Sequence, residues 1–169
     1  MVSRYARKSG MLDMVTLTVE SGGIGGFPVS GEAFGAMIGA ASVYDMANQF
    51  DLYDNGGLDV CFMGALEVDK EGNINAHRGP GAFAGIGGFA NITANTPTVV
   101  FCLSFNAKGL GVTQKKDVVT IEKEGSVPKF VNKVKSVSFS AKRAIQMTEG
   151  TVCDREMCIP VDTKRVKVD

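Results

Sequence analysis

Met14-Val-Thr-Leu-Thr-Val-Glu20, running straight into Ser21-Gly-Gly-Ile-Gly-Gly26, is the stretch on which the reading of the fold turns. Val15, Leu17 and Val19 alternate with Thr16, Thr18 and Glu20, the period of two that sends successive side chains to opposite faces of a strand. The pattern predicts a strand over residues 14–20 that halts at four glycines in six residues, with Glu20 at its C-terminal edge. In open α/β sheets that edge is where ligands bind. Upstream, Arg4, Arg7 and Lys8 precede the first acid, Asp13; the stretch has the acid-free basic character of a transit peptide but, with no spacer before the strand, reads rather as the basic end of a helix that feeds it.

Downstream, residues 42–50 are expected to form a short helix, with Ser42 as N-cap and Val43, Met46, Ala47 and Phe50 on one face. Asp54-Asn-Gly-Gly57 breaks the chain. Residues 58–68 are apolar on both faces (Val60, Phe62 and Leu66 against Cys61, Met63 and Ala65), as in a strand covered on both sides. A turn at 69–73 leads to a short returning strand at 74–77. A glycine-dense loop over 79–88 ends in Gly87-Gly88-Phe89 and opens a helical stretch to about residue 95. Residues 98–105 form a second apolar strand, 108–116 a loop, 117–122 a strand and 134–140 a last alternating strand (Val134, Val137, Phe139). The class is α/β, an open, largely buried sheet flanked by helices, with few helices for its strands. The chain is expected to form a single domain over 1–169, its last stretch, 148–169, a tail without clear pattern.

Composition bounds the function. With 44% hydrophobic and 21% charged residues the 169-residue chain can bury a core. Eighteen Lys and Arg balance 18 Asp and Glu, so no nucleic-acid partner is expected, since phosphate binding needs clustered excess cation. No apolar run reaches the ~18 residues that span a bilayer, so no membrane partner is expected either. Of the four cysteines, Cys61 and Cys102 sit in apolar runs as small hydrophobes, while Cys153 and Cys158 lie close together near the end. With one histidine in the chain no metal site is expected, and reduced thiols fit a cytoplasmic protein.

Glu20 is the most pointed residue. A carboxylate at a strand end beside Gly22, Gly23, Gly25 and Gly26 reads either as an exposed terminal glutamate or as a nucleophile or base, with the glycines letting a substrate approach and offering N–H donors. Neither this loop nor Gly85-Ile-Gly-Gly88 carries a nucleotide fingerprint: the first does not open a long helix, and neither has the Lys-Ser/Thr of a P-loop. His77 reads as a hydrogen-bonded turn residue rather than a base, and no Gly-x-Ser-x-Gly elbow is present.

Four ordered segments then carry a resemblance. These are residues 19–26; Gln49-Phe-Asp-Leu-Tyr-Asp-Asn-Gly-Gly-Leu-Asp59; Met63-Gly-Ala-Leu-Glu-Val-Asp-Lys-Glu-Gly-Asn-Ile-Asn75; and Gly85-Ile-Gly-Gly-Phe-Ala-Asn-Ile92. Together they resemble the C-terminal (β) half of family I CoA-transferases, in the acetate/propionate, short-chain acyl-CoA:carboxylate branch, over about residues 11–140. The resemblance implies that Glu20 attacks an acyl-CoA thioester and passes through a glutamyl-CoA thioester. It implies an oxyanion hole at Gly87 or Gly88 in a loop whose Gly85 lies against the substrate, and a CoA-proximal turn region at Asn75 and Asn73. Coenzyme A is then a substrate, with no permanently bound cofactor, and the partners are a CoA-transferase α half, an acyl-CoA, a carboxylate and other copies in an oligomer. The setting implied is short-chain fatty acid and ketone-body metabolism. Relatives carry a further strand and helix before the position of Met14, where this chain has thirteen residues, and continue differently after 140. The expectation is therefore a partial β half. A catalytically inactive fragment and a CoA- or nucleotide-binding interaction module are the two other readings open from the residues.

Overall fold

Where one open sheet is expected, the computed structural model has seven small ones among the residues it describes, 2–79, 81–83, 85–115 and 118–143. The chain divides into two compact units, Met1–Asp59 and Val60–Asp169. The tail 148–169, with Cys153 and Cys158, lies outside the described residues.

In the first unit, α1 (Val2–Lys8) ends on Arg7 and Lys8, cations placed at the negative end of the helix dipole as the sequence predicts. The alternating stretch that follows is not a strand. A 3-10 turn occupies Leu12–Met14, and only Thr18 is bridged, to Ile24. Alternation fixes which way side chains point but supplies no neighbour, and among the described residues Met14 (78% exposed) and Val15 (43%) meet no covering layer. Four two-residue strands follow: β1 (Gly23–Ile24), β2 (Phe27–Pro28), β3 (Met37–Ile38) and β4 (Ser42–Val43), paired antiparallel as β1–β4 and β2–β3. Ser42 therefore belongs to a strand rather than a cap. Helix α2 (Met46–Asp54) begins later, because Asp45 accepts the Asn48 N–H at 3.0 Å through Oδ1 and satisfies a first-turn donor. The helix buries Gln49 and Tyr53, whereas Met46 is exposed, so the expected apolar face is not the buried one. It ends at the predicted break, with Gly57 N–H donating to Leu52 O at 2.9 Å.

In the second unit the expected strand over 58–68 is two strands in different sheets. β5 (Val60–Met63) pairs parallel with β10 (Thr98–Phe101), and β6 (Glu67–Asp69) lies in a four-stranded sheet ordered β15-β6-β7-β16. Only Cys61 of β5 is buried, while Val60 and Phe62 are exposed, so β5 is not covered on both faces. β7 (Asn73–Asn75) returns antiparallel on β6 after the expected turn. A short pair, β8 (Arg78–Gly79) with β9 (Ala82–Phe83), leads into α3 (Phe89–Ala94), which starts where Gly87-Gly88-Phe89 predicts. β11 (Asn106–Ala107) pairs with β14 (Val127–Pro128). The region expected as a loop holds β12 (Gly111–Lys115), hairpin partner of β13 (Val118–Lys123). The sheet edges are β15 (Phe130–Val131), parallel to β6, and β16 (Phe139–Ser140), antiparallel to β7.

Most of the strand expected over 134–140 is irregular, because its amides are spent elsewhere. Val134 N–H donates to Asp69 Oδ2 (3.3 Å), and Lys135 N–H to Glu67 Oε2 (3.0 Å). The core of the unit is Ala65, Ile74 and Phe89, with Met63, Val68, Ala76, Phe101, Leu103 and Phe139 packed against them. Phe101 stacks at 6.2 Å from Phe89 and 5.3 Å from Phe139, which joins α3, β10 and β16 through one aromatic run. The α/β class holds.

Candidate active site

Glu20 stands on a tight turn. Gly22 N–H donates to Val19 O at 3.0 Å, and Val19 N–H donates to Gly23 O at 3.0 Å. Gly25 N–H reaches back to Leu17 O at 2.9 Å. Residues 17–19 and 23–25 thus form a short antiparallel stem with Glu20 and Ser21 at its tip. The turn closes at Gly22 with φ +110°, a conformation that side chains strongly disfavour. Ser21 Oγ donates to Gly35 O and anchors the tip from one side. Glu20 is partly exposed, and among the described residues its carboxylate has neither a hydrogen bond nor an ion pair. Its lone pairs are uncommitted, as a nucleophile requires.

The surrounding glycines serve the fold more than the expectation of an open approach allows. A Cβ on Gly22 would lie 1.9 Å from Tyr44 O, one on Gly26 2.6 Å from Ile38 O, and one on Gly23 2.9 Å from Met37 Cβ. On Gly25 it would meet Ala41 Cβ at 2.9 Å. Residues 37–44 fill the space that missing side chains leave, so the backbone packed there is the chain's own.

The loop over 85–88 is the opposite case. Gly85 and Gly87 would meet nothing within 4 Å if given a Cβ, and both are exposed. Gly88 caps α3, accepting from Ile92 N–H at 3.0 Å, and the N–H groups of Gly87 and Gly88 donate to no described residue. These amides are available to an incoming oxygen.

Asn75 is placed where it cannot reach a ligand without loss. It is 0% exposed, and its Nδ2 donates to Glu67 Oε2 (2.9 Å) and Arg78 O (2.8 Å). Its Oδ1 accepts from the N–H groups of His77 (3.3 Å) and Arg78 (3.0 Å). Both hydrogens and both lone pairs are used, so Asn75 shapes the turn leading to β8 rather than facing solvent.

Sequence reasoning passed over the two carboxylates that organise this unit. Glu67 and Asp69 are both buried, two apart on β6 and so on one face. Glu67 also pairs with Lys135 Nζ at 3.1 Å. Asp69 accepts from Glu71 N–H and Asn73 N–H (3.0 Å each) and from Asn73 Nδ2 (3.1 Å). Burial pushes both carboxyls up, but donors outweigh it: the Lys135 N–H, Asn75 amide and Lys135 ammonium hold Glu67 below its ordinary value, and the Asn73, Val134 and Glu71 donors do the same for Asp69. The Asp-x-x-x-Asn spacing of 69 and 73 could have flagged the turn half of this network; the half from residues 134–135 is invisible in the sequence. His77 is indeed a hydrogen-bonded turn residue, its Nδ1 2.6 Å from Ser138 Oγ and its Nε2 3.1 Å from Ser136 Oγ. Among the described residues no three His, Cys, Asp or Glu side chains gather as metal ligands, and no helix is long and apolar enough to cross a membrane.

No family model matches the chain. Among curated proteins it is similar to acetate CoA-transferase YdiF of Escherichia coli K12, 40% identical over 145 residues covering 86% of this chain and 27% of the relative. It is 38% identical over 163 residues to caffeate CoA-transferase of Acetobacterium woodii, covering 94% of this chain and 31% of that protein. It is 31% identical over 105 residues to the acetate CoA-transferase subunit beta of E. coli K12, covering 56% of this chain and 48% of the subunit. The solved thioester complex of acyl-CoA transferase YdiF from E. coli O157:H7 with CoA superimposes with a TM-score of 0.77 at 36% identity, over 86% of this chain and 27% of that one. The chain thus spans about a quarter of the length of the first of these relatives.

Proposed function

Since this chain belongs to the family I CoA-transferases, in a stretch similar to their β half, we propose that it carries the covalent nucleophile of a CoA-transferase and moves CoA from a short acyl-CoA to a free carboxylate. The observation that carries the reading is Glu20: a partly exposed carboxylate with no partner among the described residues, held on a turn that the fold builds at the expense of four side chains.

The chemistry suits a carboxylate. A Glu20 oxygen attacks the thioester carbonyl, the C–S bond breaks, and an acyl-glutamyl anhydride forms as CoA thiolate leaves. The thiolate then attacks the glutamyl carbonyl of the anhydride and expels the first carboxylate, leaving a glutamyl-CoA thioester. An incoming carboxylate attacks that thioester, and the thiolate takes the new acyl group and frees Glu20. Each step exchanges one activated acyl bond for another, so no external energy source is consumed. Negative charge develops on the carbonyl oxygen in every step; the amides of Gly87 and Gly88, which donate to no described residue, are proposed as donors to an oxyanion. Gly85 is assigned to the open approach beside them. Gly22, Gly23, Gly25 and Gly26 are assigned to holding the turn, and Asn75 to holding the chain that follows β7.

Coenzyme A enters and leaves as a substrate. The partners are an α half, in the same or a separate polypeptide, with further copies in an oligomer, and the setting is cytoplasmic short-chain acyl metabolism. Relatives named for acetate and for caffeate resemble the chain almost equally, which fits a segment that holds the shared transfer chemistry rather than the choice of acyl group.

The test is chemical. The chain, supplied with an α half and acetyl-CoA, should yield a borohydride-reducible thioester on the peptide containing Glu20. Glu20→Ala should abolish both that label and CoA exchange with acetate. Exchange within about tenfold of the unaltered protein would refute the assignment, because loss of a covalent nucleophile costs orders of magnitude.

A further inference from the structure

The turn that carries Glu20 is poorly supported by backbone pairing alone. Its stem partner β1 has two residues, and residues 14–16, which lead into the stem, are exposed. What braces the leading leg is a side-chain bond from far along the chain: Tyr53 Oη donates to Thr18 Oγ1 at 2.9 Å, across 35 residues. Tyr53 is in turn held by Gln49 Nε2, which donates to its hydroxyl at 2.8 Å from one helical turn earlier. Both are nearly sealed, Tyr53 at 2% and Gln49 at 1% exposure, and Gln49 Oε1 has no hydrogen-bond partner among the described residues. A buried helix face made of a glutamine and a tyrosine, with Met46 and Leu52 left exposed, is an expensive arrangement if its only purpose is burial. It is explained if the hydroxyl has a task.

The geometry points to Tyr53 as a positioning residue for Glu20, acting through Thr18, with Gln49 fixing the direction of its hydroxyl. This deepens the reading of Glu20 as the nucleophile and rests on it. Thr18 lies two residues before Glu20, in the one bridged position of the stem. The Tyr53 bond braces this leg from α2, while Ser21 braces the other from Gly35. A nucleophile displaced by ~1 Å loses about a hundredfold in rate, so a brace on its turn acts on kcat rather than on substrate binding.

Thr18→Val keeps the shape of the side chain and leaves the Gln49–Tyr53 bond intact. Hydrogen exchange on the purified chain reads the brace without reference to catalysis: the Val19 and Gly25 amides should exchange about tenfold faster, one hydrogen bond's worth, while those of α2 and of β5 and β10 stay unchanged. Thr18→Ser should restore protection, and Tyr53→Phe should match Thr18→Val at the turn. Catalysis is read as the rate of thioester formation at Glu20 with the α half supplied: about a hundredfold slower in Thr18→Val with the KM for acyl-CoA within twofold, and no further loss in the double variant with Tyr53→Phe. Unchanged exchange at Val19 and Gly25, or unchanged thioester formation beside an inactive Glu20→Gln, overturns the positioning role alone. An active Glu20→Gln overturns the nucleophile assignment, and the positioning role falls with it.

Discussion

Gly22 and Gly87 both adopt positive φ, +110° and +54°, yet replacing each by alanine should have unequal consequences. In either case an L side chain enters a region that costs about 1–2 kcal/mol. At Gly87 that is the whole effect, because a Cβ there meets nothing within 4 Å. At Gly22 the new Cβ would lie 1.9 Å from Tyr44 O, where contacts under 3.0 Å essentially never occur, so the two segments must part by more than an ångström. Parting them breaks the Tyr44 N–H to Gly22 O bond (2.9 Å) and the adjoining β1–β4 pairing. Adding overpacking at ~1–3 kcal/mol and a lost bond at ~1 kcal/mol brings Gly22→Ala to about 3–6 kcal/mol, against about 1–2 for Gly87→Ala. Urea unfolding followed by circular dichroism resolves this, since a gap of ~2–4 kcal/mol displaces the midpoint by about 1 M or more. Hydrogen exchange at β1 and at α3 assigns each loss to its own unit. Equal destabilisation by the two variants, or a milder effect at Gly22, would show that residues 37–44 do not occupy the space beside the turn and would remove the structural reason for its glycines.

Two further outcomes follow from side-chain environments. Glu67 and Asp69 titrate below their unfolded values, so the folded form holds fewer protons there; their stabilisation is complete above about pH 5 and is lost as the pH falls through ~4 and then through the depressed values. The urea midpoint should fall over that range and fall less in Asp69→Asn, and an equally steep fall in that variant would contradict the network. Cys102 is exposed, whereas Cys61 is buried, with its thiol pushed up by that burial against an opposing bond from Thr96. Alkylation under native conditions with peptide mapping should therefore modify Cys102 well before Cys61, and the reverse order would contradict the packing of β5.

What the amino-acid sequence determined by itself is local chemistry. The break at Asn55-Gly56-Gly57, the turn at 69–73, the start of α3 after Gly87-Gly88 and the motif order around Glu20 each depend on residues a few positions apart, and each is legible as such. What only the tertiary structure decided is who pairs with whom. Residues 14–20 alternate as a strand should, but alternation specifies faces and not partners, and among the described residues no neighbouring strand lies beside Met14 or Val15 to complete a ladder. The apolar run at 58–68 splits because β5 finds β10 and β6 finds β7 and β15. Residues 134–138 look like a strand until Asp69 and Glu67, some 65 positions earlier, take their amides. The same holds at the site: Glu20 is plain in its motif, but the Tyr53 hydroxyl on Thr18 joins positions 35 apart, and whether a glycine faces open space or another backbone depends on what packs there. Hydrogen bonds and contacts between distant residues carry no local signature, because the chain must fold before the partners exist as neighbours.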